Sequence, residues 1–165
     1  MSLSAPVPLD RQHVLDGFVS GVPSLDDWLK KRAHANQVGG ASRTFVVCEE
    51  LRVVGYYALA SGAISIGEAT GKFRRNMPDP IPVALLARLA VTRTHQGRGL
   101  GRALFRDSAA RVSQAADVLG MRGMVVHAIS DEAKAFYVSL GFSPSPHDPM
   151  TLMVSLADLR AALYG

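Results

Sequence analysis

Cysteine is almost absent from this sequence, since Cys48 is the only one among 165 residues. An internal disulfide is therefore excluded, and a reducing compartment is indicated. Long apolar runs are missing as well: the longest uncharged stretch, between Arg52 and Glu68, has fifteen residues, fewer than the roughly 20 that span a bilayer. The first ten residues resemble no signal peptide. We therefore expect a cytoplasmic protein with no membrane partner.

A large charge excess is also lacking. Lys and Arg number 18 against 14 Asp and Glu, which gives a net charge of +4 and a pI near 9.6. This balance is consistent with an anionic partner but does not require one. The length and the hydrophobic content of 48% are sufficient for one sizeable core, so we expect a single domain over residues 1–165.

The order of predicted elements indicates an α/β fold with a mixed sheet. Helices are predicted from their apolar spacing and end signals, and strands from β-branched and aromatic runs. The elements are a helix whose start is capped by Ser24 and Asp27, a hairpin of 44–48 and 53–60, a short strand at 63–66, a loop over 68–82, a central strand at 83–91, a helix over 100–119 followed by Gly120, a strand at 124–128, a helix from Ser130 or Asp131 to Leu140 stopped by Gly141, and a strand at 150–156 before a tail helix.

Three glycines alternate with larger residues in the stretch 96–101, QGRGLG, directly after the predicted central strand. A Walker loop is excluded, because Arg102 and Ala103 stand where Lys and Ser or Thr are required. A dinucleotide fingerprint fits poorly, since its third glycine is replaced by Arg102 and Asp117 lies inside a helix pattern. The remaining interpretations are a diphosphate-binding turn, formed by backbone N–H groups and a helix N-terminus, or an ordinary glycine-rich connector.

Two motifs together resemble the GNAT superfamily of N-acetyltransferases. The stretch 96–101 matches the family's Q/R-x-x-G-x-G/A signature, and 133–142 matches its A-x-x-F-Y-x-x-x-G-F segment. The resemblance covers most of the chain and narrows to the TacT type of bacterial toxin acetyltransferase. The segments that carry this closer resemblance are 25–29, 43–47, 55–60, 86–91 and the basic, proline-rich stretch 74–82, which is the most distinctive.

The resemblance implies the GNAT fold, a mixed central sheet flanked by helices with a splay between two central parallel strands, 83–91 and 125–128. Acetyl-coenzyme A (acetyl-CoA) would lie in the splay as co-substrate, and no metal is expected. Its pantetheine would pair with the backbone of 89–91 and its diphosphate with the turn. The expected cofactor-binding residues are Leu89, Ala90, Val91, Gln96, Gly97, Arg98, Gly99, Leu100, Gly101, Arg102 and Phe136.

Tyr137, in the second motif, is the catalytic residue that the resemblance implies. It would act as a general acid toward the leaving thiolate. The ordinary tyrosine pKa near 10 lies above that of a thiol, about 8.5, so the proton that Tyr137 lends is readily restored by solvent or product. The alternative is that Tyr137 merely packs with Phe136 and Phe142 in the core. No general base is assigned, since an α-amino group is already partly unprotonated near neutral pH. Glu49, Glu50, Glu68 and His127 are available, but no spacing selects one of them.

The toxin resemblance implies acetylation of the free α-amino group of aminoacyl-tRNA, which blocks translation, and neutralisation by a ribbon-helix-helix antitoxin. A homodimer is expected for the same reason. Lys30, Arg74, Arg75 and Arg88 match basic positions of that family and are expected to bind tRNA phosphates. Arg88 interrupts an apolar strand, so it should face a carboxylate, a cofactor phosphate or the RNA end. Acetylation of a peptide or small amine, and a non-catalytic coenzyme A-binding regulator, remain as alternatives.

Overall fold

The computed structural model describes residues 2–164, which contain seven strands and six α-helices. The strands are β1 (Val7–Pro8), β2 (Arg43–Glu49), β3 (Arg52–Ile64), β4 (Ile81–Val91), β5 (Gly123–His127), β6 (Ser143–Pro144) and β7 (Thr151–Ser155). The helices are α1 (Pro23–Lys31), α2 (Ala33–Gly39), α3 (Gly71–Arg74), α4 (Leu100–Ala115), α5 (Asp131–Ser139) and α6 (Leu156–Tyr164).

The strands form one mixed sheet in the order β1-β2-β3-β4-β5-β7-β6. Strands β2 and β3 form the predicted hairpin, and β5 and β7 are also antiparallel. β4 and β5 are parallel, with Ala84 opposite Met124 and Leu85 opposite Val125. This short ladder lies at the start of β5, as expected if the two strands diverge further along. The mixed sheet with its helices confirms the predicted α/β fold class.

The chain divides into two compact units. The first holds the chain up to Ala60 together with Ala87–Ser108. In its core, α1 packs its apolar side against the hairpin: Leu29 is fully buried beside Phe18 and Tyr56, and the half-buried Leu25 and Trp28 pack on the same cluster. The apolar face predicted for this helix is therefore confirmed.

The second unit holds Ser61–Leu86 and the chain from Ala109 onward. Its core joins Phe73 of α3 to the buried side chains of Ile81, Val125 and Met153. Arg122 holds α3 in place, because its guanidinium donates hydrogen bonds to the backbone oxygens of Lys72 and Phe73, both at 2.8 Å. The single domain predicted from the length stays a prediction.

The predicted cap of the first helix is wrong. Its N-cap is Val22, which makes no side-chain cap bond, and the helix starts with Pro23. The buried carboxylate of Asp26 instead accepts hydrogen bonds from the backbone N–H and the hydroxyl of Ser20, the latter at 2.6 Å. A proline at the first helical position needs no N–H partner, so the start of the helix is set by chain geometry rather than by Ser24.

Three other boundaries differ from the sequence predictions. Of the strand expected at 63–66, only residues 63 and 64 are in a strand, as the end of β3, and Ile66 begins a 3-10 turn. The loop expected over 68–82 contains α3, whose cap is the hydroxyl of Thr70, and the first two residues of β4. Helix α4 ends at Ala115 rather than 119, because the N–H groups of Asp117 and Val118 bond to carbonyls three residues back, outside the α-helical pattern. The guanidinium of Arg160 donates to the Ser113 carbonyl near this end, at 2.8 Å. The two-residue strands β1 and β6 were missed, since two residues show no periodicity.

Within residues 2–164, no helix combines the length and the apolar character needed to cross a bilayer.

Gly123 is the position where the sheet tolerates no side chain. A Cβ placed there would lie 2.0 Å from the carbonyl oxygen of Val154 on β7, whereas one on Gly120 would meet nothing within 4 Å. We expect Gly123→Ala to lower the free energy of unfolding by about 1–3 kcal/mol, because the β5–β7 ladder must shift, and Gly120→Ala to change it little. Urea unfolding monitored by circular dichroism measures both, and equal stability of the two variants would contradict the close packing.

Candidate active site

The turn between β4 and α4 is an exposed glycine turn. Gly97 and Gly99 have φ angles of +77° and +81°, and α4 begins at Leu100. Such angles disfavour any side chain, and a Cβ on either glycine would point into open space, with nothing within 4 Å. The sequence interpretation explained the glycines by close approach of a ligand; the structure adds that the backbone conformation itself favours glycine at 97 and 99. Gly101 differs, since it lies in the first turn of α4.

The side chain of Gln96 fastens this turn. Its amide donates to the carbonyl oxygens of Ser20 and Val91, both at 2.8 Å. Earlier in the chain, the backbone N–H of Arg93 donates to the carbonyl oxygen of Val19. The Thr92 hydroxyl also binds Val19, since it accepts from the N–H of Val19 and donates to its carbonyl oxygen. The segment that leads into α1 is thereby joined to the turn. Sequence reasoning assigned only the backbone of Gln96 and missed this role, for which no local pattern gives a signal.

Other predicted cofactor residues are placed by β4 and α4. Along β4 the side chain of Ala90 packs in the core of the first unit, so Leu89 and Val91, both half-buried, lie on the opposite face of the strand. Arg98 and Arg102 are exposed, one in the turn and one in the first helical turn. The first unit thus holds all the predicted cofactor residues except Phe136.

The candidate general bases are not equivalent in the structure. His95, which is 8% exposed, has its Nε2 2.9 Å from Glu49 Oε2 and its Nδ1 2.8 Å from the Thr94 hydroxyl. The hydrogen bond between His95 and Glu49 lowers the pKa of Glu49, which makes that carboxylate a weaker base. His127 shares a hydrogen bond with the hydroxyl of Thr151. Glu50 and Glu68 are exposed, so no base is selected.

Tyr137 lies on α5 in the second unit, and Ser130 caps that helix as predicted, accepting from the N–H of Ala133. Its ring is 7% exposed and packs edge-to-face on Phe136 and Phe142, with centroids 5.3 and 5.5 Å away. Burial raises the pKa of Tyr137 to about 12. Within residues 2–164 its hydroxyl makes no hydrogen bond. The ring therefore packs as the alternative predicted, while the phenol stays in the protonated form that an acid requires.

The four predicted tRNA-binding residues fall into two environments. Lys30 is exposed in the last turn of α1, and Arg74 and Arg75 are exposed at the end of α3. Arg88 is half-buried, with its guanidinium carbon 4.7 Å from the ring centroid of Trp28. The sequence predicted a carboxylate, a cofactor phosphate or the RNA end as the partner of Arg88. No carboxylate among the described residues pairs with Arg88, so that alternative is wrong for them, and the indole face of Trp28 lies there instead. An aromatic face is an alternative that the strand pattern could not indicate.

Metal ligands are not gathered anywhere in the described part of the chain, where no cluster of three or more His, Cys, Asp or Glu could hold a metal ion.

Known proteins match this chain over nearly its whole length. It is 55% identical over 160 residues to the tRNA-acetylating toxin of Mycobacterium tuberculosis, covering 97% of this chain and 96% of the relative. Three solved structures, each 26% identical, superpose closely: AtaT complexed with acetyl-methionyl-tRNAfMet (TM-score 0.89, 97% and 98% of the two chains), AtaT bound to the C-terminus of the antitoxin AtaR (0.85, 99% and 98%), and AtaTR bound with acetyl-CoA (0.83, 96% of each).

Residues 40–144 match the acetyltransferase (GNAT) domain. This range takes in β2 to β6, and with them both the glycine turn and the helix of Tyr137. The match covers well over half of the chain. The chain therefore belongs to the GNAT family of acetyltransferases.

Proposed function

We propose that this acetyltransferase is a toxin that transfers the acetyl group of acetyl-CoA to the free α-amino group of aminoacyl-tRNA and so blocks translation. The observation that carries the proposal is the 55% identity, over nearly the full length, to the tRNA-acetylating toxin. A cognate antitoxin, of the ribbon-helix-helix type, would neutralise it. We further propose that the chain is a single domain and acts as a homodimer.

The glycine turn suits a diphosphate. Its N–H groups are accessible because Gly97, Arg98 and Gly99 are exposed and open space lies at both glycines. The N-terminal end of the 16-residue helix α4 adds a partial positive charge at the same place. Arg98 and Arg102 contribute fixed charge. The residues present therefore fit acetyl-CoA, with the backbone of β4 near Leu89 and Val91 as the proposed partner of its pantetheine.

When bound, acetyl-CoA supplies the acetyl group and a thiolate leaving group. Tyr137 is the proposed acid, with its proton donated from the hydroxyl. With a pKa of about 12, full transfer of that proton to a thiolate of ordinary pKa is uphill by about 5 kcal/mol. Tyr137 therefore donates a hydrogen bond where negative charge develops, and the proton that it lends to the thiolate is restored to the phenol from solvent.

The acceptor amine needs no strong base. The α-amino group of an aminoacyl ester titrates near neutral pH or below, so much of it is already nucleophilic. This agrees with the engagement of Glu49 by His95 and of His127 by Thr151. Basic side chains at Lys30, Arg74, Arg75 and Arg88 supply the charge for the RNA.

Tyr137→Phe tests the acid directly. The ring and its two edge-to-face contacts are kept, so we expect normal stability and normal acetyl-CoA affinity, with turnover lowered by at least about 100-fold. The assay uses labelled acetyl-CoA with charged tRNA, uncharged tRNA and a panel of peptides and amines; label on charged tRNA alone supports the function. Tyr164→Phe, at a tyrosine that is 71% exposed, is the control. Wild-type turnover in Tyr137→Phe would remove Tyr137 from the mechanism.

The pH profile gives a second readout of the same residue. Because burial raises the pKa of Tyr137, the proton is bound at every pH below about 12. The rate should therefore show no alkaline fall between about pH 8 and 10, where an ordinary tyrosine begins to ionise. A fall in that range that disappears in Tyr137→Phe would contradict the raised pKa.

Gln96→Leu tests the anchoring of the turn. The change removes two hydrogen bonds at similar side-chain volume, so we expect acetyl-CoA affinity to fall about tenfold, with turnover at saturating acetyl-CoA nearly unchanged. Calorimetric titration measures the affinity. Gln114→Leu, at an exposed glutamine of α4, is the matched control. Equal affinity in the two variants would show that the turn keeps its shape without Gln96.

Arg74→Gln and Arg75→Gln test the RNA interface. Each should raise the KM for charged tRNA and reduce the slope of log affinity against log salt by about 1, while acetyl-CoA affinity stays constant. Lys31→Gln, at an exposed lysine of α1 predicted to be ordinary solvated charge, is the control. If Lys31→Gln weakens tRNA binding as much as the arginine variants, the interface is not specific to 74 and 75.

A further inference from the structure

Four side chains in the first unit form a continuous stack from the core outward. Phe18 meets the ring of Tyr56 edge-on at 5.5 Å, Tyr56 lies nearly parallel to Trp28 at 6.0 Å and 11°, and the guanidinium of Arg88 lies over Trp28 at 4.7 Å. Three elements meet in this stack, since Trp28 belongs to α1, Tyr56 to β3 and Arg88 to β4. The stack therefore links the first helix to the strand that leads into the glycine turn.

The inner part of the stack is rigid. Phe18 and Tyr56 are both fully buried, and the Tyr56 hydroxyl donates to the carbonyl oxygen of Leu25 at 2.7 Å, one turn before Trp28 on the same helix. Trp28 itself is half-buried and packs on the core cluster of the first unit. The position of the indole is thus set by contacts other than Arg88, and the guanidinium of Arg88 lies over its ring.

The outer end of the stack is an arginine whose donors are largely unused. Its Nη1 donates to the neighbouring carbonyl of Ala87 at 3.2 Å, and its Nε is buried without a hydrogen-bond partner. No carboxylate of residues 2–164 pairs with it. A guanidinium stays charged at any relevant pH, and an aromatic face covers it without neutralising it. A stacked guanidinium still presents its N–H groups at the edge, where a planar or tetrahedral oxyanion binds with two parallel hydrogen bonds.

We propose that Trp28 and Arg88 form a phosphate receptor for the acceptor RNA, in which Trp28 acts as a positioning residue that holds the guanidinium of Arg88 ready for a phosphate group. This rests on the proposed function for the identity of the RNA. The side chain of Arg88 projects on the same face of β4 as Ala90, which packs in the core cluster with Trp28, and so on the face opposite Leu89. The diphosphate of the coenzyme is assigned to the glycine turn and its pantetheine arm is uncharged, so the RNA is the proposed source of the anion.

Trp28 provides its own probe, because it is the single tryptophan of the chain. Adding deacylated tRNA should change the intrinsic tryptophan emission of the wild-type protein, and Arg88→Gln should lose most of that change. Acetyl-CoA alone should leave the emission as it was. An equal response in wild type and Arg88→Gln, or a response to acetyl-CoA but not to tRNA, would overturn the receptor.

A double-mutant cycle separates positioning from simple packing. Trp28→Leu and Arg88→Gln should each raise the KM for charged tRNA about tenfold, and the double variant should be no worse than Arg88→Gln alone. Trp28→Phe, which keeps a planar ring, should restore most of the affinity. Acetyl-CoA affinity and the urea midpoint of Trp28→Phe should match wild type. Additive effects in the cycle, or no rescue by Phe, would contradict a positioning role.

The two proposals fail in different ways. If deacylated tRNA changes the emission through Arg88 but no aminoacyl-tRNA is acetylated, the receptor stands and the proposed reaction is wrong. If aminoacyl-tRNA is acetylated but the cycle is additive, the reaction stands and the receptor is wrong. If Arg88→Gln instead weakens acetyl-CoA binding, the anion belongs to the coenzyme and the receptor for RNA is overturned.

Discussion

The hydrogen bonds between the segment before α1 and the end of β4 are the constraint on which the first unit depends. Glycine is the most flexible residue, and a turn with Gly97 and Gly99 at positive φ is costly to order on its own. Gln96 fixes the start of this turn on Ser20 and Val91, and α4 fixes its other end. The cost of ordering the turn is therefore met during folding rather than during ligand binding, and this is what preorganisation for a diphosphate requires.

The same bonds place α1. The carbonyl oxygen of Ser20 accepts from the Gln96 amide, and the N–H and hydroxyl of Ser20 donate to the carboxylate of Asp26. One residue thus joins the turn to the first helix, and that helix carries Trp28 to its position over Arg88. A substrate that binds at the outer end of the stack and a co-substrate that binds at the turn would consequently act on one connected framework.

The sequence predicted the features that depend on neighbouring residues. Ser130 as a cap, the stop at Gly141 and the glycine turn all follow from local backbone rules, and all are present in the structure. The features it missed depend on residues far apart in the chain. The Gln96 amide reaches Ser20 across 76 positions, and Arg160 binds Ser113 across 47. Single-sequence patterns carry no signal for such pairs, so the elements that carry these residues could be predicted and their distant partners could not.

Net charge says little about which basic residues are available to an anion, and partners decide this instead. Lys72 is paired with Asp158 at 2.7 Å, and Arg160 with Asp117 at 2.9 Å. The guanidinium of Arg122 donates hydrogen bonds to the backbone oxygens of Lys72 and Phe73. These three cations each have a partner within the chain, although Lys72 stands only two residues before Arg74. Arg88 is the reverse case. It is half-buried in an apolar strand, where an unpaired charge is costly, yet it has an aromatic face in place of a carboxylate. An apolar side chain at position 88 would stabilise the strand more than an unpaired arginine does. The arginine therefore supports the proposed phosphate site, where it would bind the anion.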